Sequence, residues 1–178
     1  MNMINGTRNL ILVIVTLAVG SLASTAIAAG SASGTLSATA TVKTNCTVNS
    51  PTLTFAAIDP TAGINSTGTA VISVACTKAT TLTDIKLGPG AHQIASGSRQ
   101  LANGAVFIAY ALYTDAANTT PWGDSTTTGI GNDLSTGFAA FTSVATPQTY
   151  TVYGTILAAA EDVAANTYTD SVAITVDF

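Results

Sequence analysis

The octapeptide SVAITVDF, residues 171–178, alternates apolar and polar side chains. Successive side chains of a strand point to opposite faces, so this pattern predicts a half-buried strand. Its apolar face carries Val172, Ile174, Val176 and Phe178. No residues follow Phe178 to form a neighbouring strand. We therefore expect this strand to leave one edge unpaired.

A second alternating segment, TLSATATV at residues 35–42, lies near the other end of the chain. Its apolar face consists of Leu36, Ala38, Ala40 and Val42, and its other face carries hydroxyl groups. The two segments together suggest subunits that complete one another, with residues 35–42 donated to the edge of the next copy. The alternative is a soluble monomer in which both segments pair within one chain.

The first 28 residues have the features of a secretory signal peptide. Arg8 lies in the n-region, residues 10–19 are apolar, and Ala26-Ile27-Ala28 matches a cleavage site. A membrane anchor over residues 10–29 is the alternative, but small and polar residues dilute its second half. Cleavage after Ala28 leaves 150 residues, the size of one domain with a single core.

The net charge of the chain argues against two classes of binding partner. The chain after Ala28 has four basic and nine acidic residues, hence a net charge of −5. It has no basic patch, which argues against nucleic acid or an anionic membrane as a partner. Only 8% of residues are charged, against about 25% in ordinary soluble domains. This predicts an exported β-rich protein whose strand edges are poorly defended against pairing.

The two cysteines, Cys46 and Cys76, both lie in the mature chain. An even count in an exported protein predicts a disulfide, and two cysteines allow one connectivity. A metal site is not expected, because His92 is the only histidine and no Cys-x-x-Cys spacing occurs. We expect no cofactor.

The pattern of apolar runs and turn residues predicts an all-β sandwich with about six strands after Cys46. An immunoglobulin-like sandwich needs seven, so the domain is expected to be incomplete. Polar residues 91–104 are expected to form a loop, and residues 158–165 a loop or a short helical turn. The candidate segments from which these core strands are counted, two of them short (53–55 and 85–87), are residues 53–55, 69–76, 85–87, 106–113, 138–144, 149–157 and 171–178.

Catalytic residues are not expected. His92 lies beside Gly90 in a predicted turn, where a solvated side chain is the better interpretation, and Glu161 and Asp162 are adjacent rather than paired across a site. Trp122 is a candidate surface recognition residue, with packing at the end of the sandwich as the alternative. The tyrosines are expected to serve in core and cross-strand packing rather than as a sugar platform.

The mature chain resembles the spore coat protein U domain family, which is shared with pilins of the archaic chaperone-usher pathway. Two departures from the family pattern are Ala56 and Asn166, both at positions where glycine is common. The matching motifs, in order, are Cys46-Thr47-Val48, Leu53-Thr54-Phe55, Cys76, Arg99-x-Leu101, Tyr110-x-Leu112-Tyr113-x-Asp115, Trp122-Gly123, Tyr153-Gly154-x-Ile156, Tyr168-x-Asp170 and Val172-x-Ile174-x-Val176-x-Phe178.

The resemblance implies an incomplete immunoglobulin-like β-sandwich completed by donor-strand complementation. It divides the chain into a signal peptide (1–28), a donor-strand extension (29–44) and a pilin domain (45–178). A periplasmic chaperone would first cover the acceptor edge, and an outer-membrane usher would exchange it for the next subunit's extension. The expected function is a structural subunit of a cell-surface fimbrium for adhesion and biofilm formation. A self-complemented coat or matrix protein and a carbohydrate-binding module are the alternatives.

Overall fold

The computed structural model describes residues 30–94, 97–158 and 163–178. The chain divides into two compact units, Met1–Ala40 and Thr41–Phe178. The predicted signal peptide lies outside the described residues. Nothing in the described part is a helix long and apolar enough to cross a membrane.

The Thr41–Phe178 unit is all-β, as the sequence predicts, and its described part contains seven strands. In chain order they are β1 (Cys46–Val48), β2 (Ser66–Cys76), β3 (Asp84–Leu87), β4 (Arg99–Asn103), β5 (Val106–Tyr113), β6 (Gln148–Ile156) and β7 (Ile174–Asp177).

The strands form two antiparallel sheets, consistent with an immunoglobulin-like sandwich. The larger sheet has the order β1-β2-β6-β5-β4, and the smaller consists of β3 and β7. The long β2–β6 pairing places Val71 opposite Thr151, and β1 begins where Cys46 lies opposite Cys76. These two cysteines form the predicted disulfide.

The core lies between the sheets, where apolar positions of both meet. Every second residue of β2 from Ala70 to Cys76 is buried, as the alternation of its sequence predicts. The core cluster comprises Ile72, Val74, Cys76, Leu82, Ile85, Leu87, Ile108, Tyr110, Leu112, Trp122, Phe141, Val152 and Ile156.

Two local predictions are wrong. The polar stretch 91–104 contains β4, which pairs with β5 in full register from Arg99↔Tyr110 to Asn103↔Val106. The apolar stretch 138–144 is not a strand. Phe141 is buried there, and its backbone N–H donates to the Thr80 carbonyl at 2.8 Å. Its hydrophobicity reflects core packing by Phe141 and, in part, by Phe138 rather than a continuous sheet pairing.

Two further segments that the sequence predicts as strands are not strands in the structure. Residues 53–55 keep an alternating burial pattern, but ladder pairing is not assigned to them. Residues 35–42 have no secondary structure and every one of their side chains is exposed. Residues 158–165 were expected to form a loop or a short helical turn, and of these 159–162 lie outside the described ranges.

Candidate strand-acceptor groove

An open apolar groove lies on the inner face of the larger sheet. Its first wall is residues 51–58, and its second wall is residues 163–174, which lead into β7. The groove consists of two cavities of about 260 and 740 Å³. Both cavities are lined by Thr52, Leu53, Phe55, Leu101 and Asp170.

The floor of the groove is the apolar face of the larger sheet. Side chains from β2, β5 and β6 reach the floor because they occupy inward positions of the alternating strands. The floor residues include Ala70, Ile72, Ile108, Leu112, Val152 and Ile156. The groove is therefore an opening in the hydrophobic core rather than a polar surface cleft.

The first wall presents Leu53, Phe55 and Ile58 to the core, and all three are half-buried. It is fixed to β2 where the Ala56 N–H donates to the Thr67 carbonyl at 3.0 Å. Gly154 makes room for it: a Cβ there would lie 2.9 Å from Phe55 Cε1 and 3.0 Å from Leu53 Cδ1. A side chain at position 154 would push this wall away from the sheet.

The second wall ends in a strand with one free edge. Among the described strands, β7 pairs only with β3. The Gly88 N–H donates to the Ala173 carbonyl at 2.9 Å, so the backbone groups of Ala173 face β3. Because antiparallel pairing alternates, the backbone groups of Val172 and Ile174 face the opposite side, toward the groove.

The four predicted acceptor residues occupy different environments. Val172 and Ile174 line the smaller cavity, and Val176 is half-buried against the core. Phe178 follows the end of β7 and is 51% exposed. The structure thus brings three of the four to the core side of β7.

The four predicted donor residues are all solvent-exposed. Leu36 is 95% exposed and Val42 81%, and the two alanines between them, Ala38 and Ala40, are also exposed. In the Thr41–Phe178 unit, the start of the domain is anchored at Asn45, whose carbonyl accepts a hydrogen bond from the Thr77 N–H at 2.9 Å.

A buried polar cluster supports the second wall. Asp170 has a side chain only 1% exposed, and its Oδ2 accepts a hydrogen bond from the Tyr110 hydroxyl at 2.7 Å. Its Oδ1 accepts one from the Ala91 N–H at 2.8 Å and lies 3.3 Å from His92 Nδ1. The cluster connects β5, the turn after β3 and the second wall of the groove.

Burial shifts the ionisation of Tyr110 in this cluster and of Arg99 nearby. Desolvation, then the hydrogen bond to Asp170, raises the pKa of Tyr110 far above its ordinary value of 10.0. Arg99 is fully buried and donates to the carbonyls of Leu87 at 2.7 Å and Trp122 at 3.0 Å. Burial lowers the pKa of Arg99. Tyr110 stays neutral, so it remains a hydrogen-bond donor to Asp170.

Trp122 is not a surface recognition residue. It is only 1% exposed, and its indole N–H donates to the Ile85 carbonyl at 2.9 Å. The indole packs in the core, which is the alternative that the sequence left open. A carbohydrate-binding module that uses Trp122 as its platform is excluded by this burial.

The described residues hold no group of three or more His, Cys, Asp or Glu side chains suited to a metal ion. His92 is 40% exposed at its side chain and interacts with Asp170. The pair Glu161-Asp162 lies outside the described residues. The geometry of the groove instead suits a peptide segment, because it combines apolar subsites with a free strand edge.

Comparison with known proteins identifies the family. The spore coat protein U domain model matches residues 32–175, which is most of the chain. The chain belongs to the spore coat protein U domain family. Protein U of Myxococcus xanthus is a similar protein, 30% identical over 166 residues, with 84% of this chain and 87% of the relative covered. Members of this family are structural domains of the coat or pilus type that assemble into surface structures.

Sequence reasoning singled out Val172 and Ile174, which line the groove, but missed the polar cluster. Arg99, Tyr110 and Asp170 are among the residues that carry the family resemblance, yet the sequence offers no sign that they meet. Tyr110 and Asp170 are 60 residues apart, and His92 and Asp170 are 78 apart.

Proposed function

We propose that this protein is the structural subunit of an archaic chaperone-usher pilus and polymerises by donor-strand exchange. The observation that carries the proposal is the open groove beside the edge of β7 with which no described strand pairs. An added strand would pair with that edge and cover the exposed core at the same time. To pair with the edge and to cover the core, the added strand must be extended and must carry apolar residues at every second position.

Residues 35–42 meet this requirement. Their apolar face places Leu36 and Val42 at the ends and two alanines between them. In the proposal, the two larger side chains fill deep parts of the groove of the next copy, and Ala38 and Ala40 fit shallow parts. The acceptor edge is provided by Val172, Ile174, Val176 and Phe178 of that copy.

The open groove also creates a need for partner proteins during export and assembly. An open hydrophobic groove is an aggregation hazard, so the subunit needs a protein that covers it before assembly. A periplasmic chaperone serves this purpose in the proposal, and an outer-membrane usher exchanges it for the next subunit. The product is a secreted, cell-surface fimbrium that supports adhesion and biofilm formation.

The test compares two matched charge substitutions, Leu36→Lys and Thr39→Lys. Leu36 lies on the apolar face of the arm and Thr39 on the hydroxyl face, so both changes add the same charge on opposite sides. We expect Leu36→Lys to abolish fibres in negative-stain micrographs of cells that express the subunit, chaperone and usher. Thr39→Lys fibres should keep their normal length. Fibres of normal length from Leu36→Lys contradict the proposal.

A second candidate is a self-complemented coat or matrix protein of the same fold, which the description of the matched family favours. In that case the chain's own residues 35–42 would fill its groove. The purified mature protein would then be a stable monomer, and dilution would not change its mass. A co-purifying chaperone or fibres that depend on residues 29–43 would exclude this candidate.

A further inference from the structure

The outer face of the larger sheet, opposite the groove, has an unusual composition. The strands β1, β2, β5 and β6 contain no Asp, Glu, Lys or Arg. Their outward positions carry mainly hydroxyls, small apolar groups and tyrosines, and Val71 and Phe107 are the larger apolar side chains exposed among them. We define the outer face as Thr47, Thr69, Val71, Ser73, Ala75, Tyr113, Thr149, Thr151 and Tyr153.

The register places these side chains in continuous rows. Thr69 lies opposite Tyr153, Val71 opposite Thr151, and Ser73 opposite Thr149. Tyr153 is also opposite Tyr113 of β5, which extends the row across a third strand. Val71, at the centre, is 47% exposed although it is apolar. Uncharged rows of this kind leave the sheet surface without the charges that usually prevent association.

We propose that the outer face is a lateral contact surface, and that its partner is the outer face of a second copy of this chain. Two acidic copies repel each other wherever their carboxylates approach, and a charge-free face allows contact at the smallest electrostatic cost. A hydroxyl group both donates and accepts hydrogen bonds, so a threonine-rich face is chemically complementary to itself.

The area of the outer face determines how strongly two copies associate through it. Strand spacing and rise give roughly 500 Å² per copy, hence roughly 1,000 Å² in a pair. That area is at the low end for specific interfaces, so a single pair dissociates readily. Repetition of the contact along two fibres makes it multivalent and stable. The inference therefore rests on the proposed polymerisation for its biological effect, which is the side-by-side bundling of fibres.

The experiment compares Val71→Glu with Ala116→Glu, which has the same net charge but changes an exposed loop position that is not part of the outer face. Fibre length reports strand exchange, and bundle width in negative-stain micrographs reports the lateral contact. We expect Val71→Glu to give single fibres of normal length and Ala116→Glu to give wild-type bundles. Higher salt should widen wild-type bundles, because it screens the repulsion between acidic copies.

A mixing experiment separates a lost contact from a misfolded sheet. Val71→Lys alone should also fail to bundle, whereas a mixture of Val71→Glu and Val71→Lys fibres should bundle again, since opposite charges then face each other. If the chain forms no fibres, the same variants are compared by sedimentation equilibrium at about 1 mM, where a contact of about 4 kcal/mol is half-populated. Val71→Glu should weaken self-association about tenfold.

Three results would overturn the inference. The first is side-by-side association of Val71→Glu equal to that of Ala116→Glu. The second is failure of the two opposite charges to restore association in the mixture. The third is that microcrystalline cellulose retains the wild type and not Val71→Glu while self-association stays unchanged, which would assign the face to an uncharged polysaccharide.

Discussion

Truncation of one donor side chain should weaken strand donation by a calculable amount. Leu36 is 95% exposed in the free chain, so its burial in the groove of another copy removes nearly the whole side chain from water. Full burial of a leucine is favourable by about 1.5–3 kcal/mol, and alanine retains only a small part of this. Leu36→Ala should therefore cost about 2 kcal/mol, or roughly 30-fold in affinity.

The assay uses the domain without residues 30–40, refolded with synthetic peptides that span residues 30–44. This shortened domain keeps the disulfide and the entire described core. With peptide in excess, a 30-fold loss of affinity lowers the stability of the complex by about 2 kcal/mol. That corresponds to a melting temperature lower by roughly 4–8 °C than with the unmodified peptide.

The matched control is a peptide with Thr39→Ala, whose change lies on the hydroxyl face. It should alter the melting temperature by less than about a quarter of the Leu36→Ala effect, because an exposed threonine loses little on truncation. Equal effects of the two peptides would refute the alternation argument, since they would mean that both faces of the arm are equally buried. Absence of any stabilisation by the unmodified peptide would refute strand donation itself.

Three other predictions follow from the structure. Replacing both Cys46 and Cys76 by alanine should lower the free energy of unfolding in urea by about 3–4 kcal/mol, since the bond closes a loop with a sequence separation of 30; a loss below about 1 kcal/mol contradicts this. Trp122→Ala should cost about 3–5 kcal/mol, and acrylamide should not quench the native Trp122 fluorescence, because the indole is buried; strong quenching contradicts its place in the core. Because the pKa of Tyr110 is raised in the folded state, only the unfolded chain loses the Tyr110 hydroxyl proton just above pH 10, so the free energy of unfolding should fall as pH rises above 10. Tyr110→Phe should flatten the slope of unfolding free energy against pH. An unchanged slope in this variant would assign the pH dependence to other groups.

The sequence was most informative where a single run of residues determines one secondary-structure element. β5 was predicted with its observed bounds because an uninterrupted apolar run of eight residues has few alternatives to a central strand. β4 was missed because Arg99, Gln100 and Asn103 make the segment polar, although Arg99 is buried and satisfied by backbone carbonyls. A buried arginine that bonds to carbonyls has no counterpart in a hydropathy pattern, since its partners lie elsewhere in the chain.

The side chains that line the groove were predictable only in part. Alternation at residues 171–178 indicated which side chains of the second wall face the core, and Val172, Ile174 and Val176 do so. The first wall was predicted as a short strand, but its position depends on the room that Gly154 leaves for Phe55. This close approach of the Phe55 and Leu53 side chains to Gly154 depends on the register of β2 with β6, which a single sequence does not reveal.

The polar cluster explains how the second wall can keep its shape while its apolar side is open. The segment that leads into β7 is tied to β4 by two backbone hydrogen bonds between Thr169 and Ala102, but no described strand pairs with the groove-side edge of β7. The buried Asp170 carboxylate supplies a second anchor through Tyr110 and the Ala91 N–H, and both bonds would be lost if the wall moved away. A buried carboxylate that loses its donors is costly, so the wall is held in the position in which an incoming strand can pair with it. Asp170→Asn should therefore weaken binding of the unmodified arm peptide to the groove even though Asp170 itself donates no apolar surface to it.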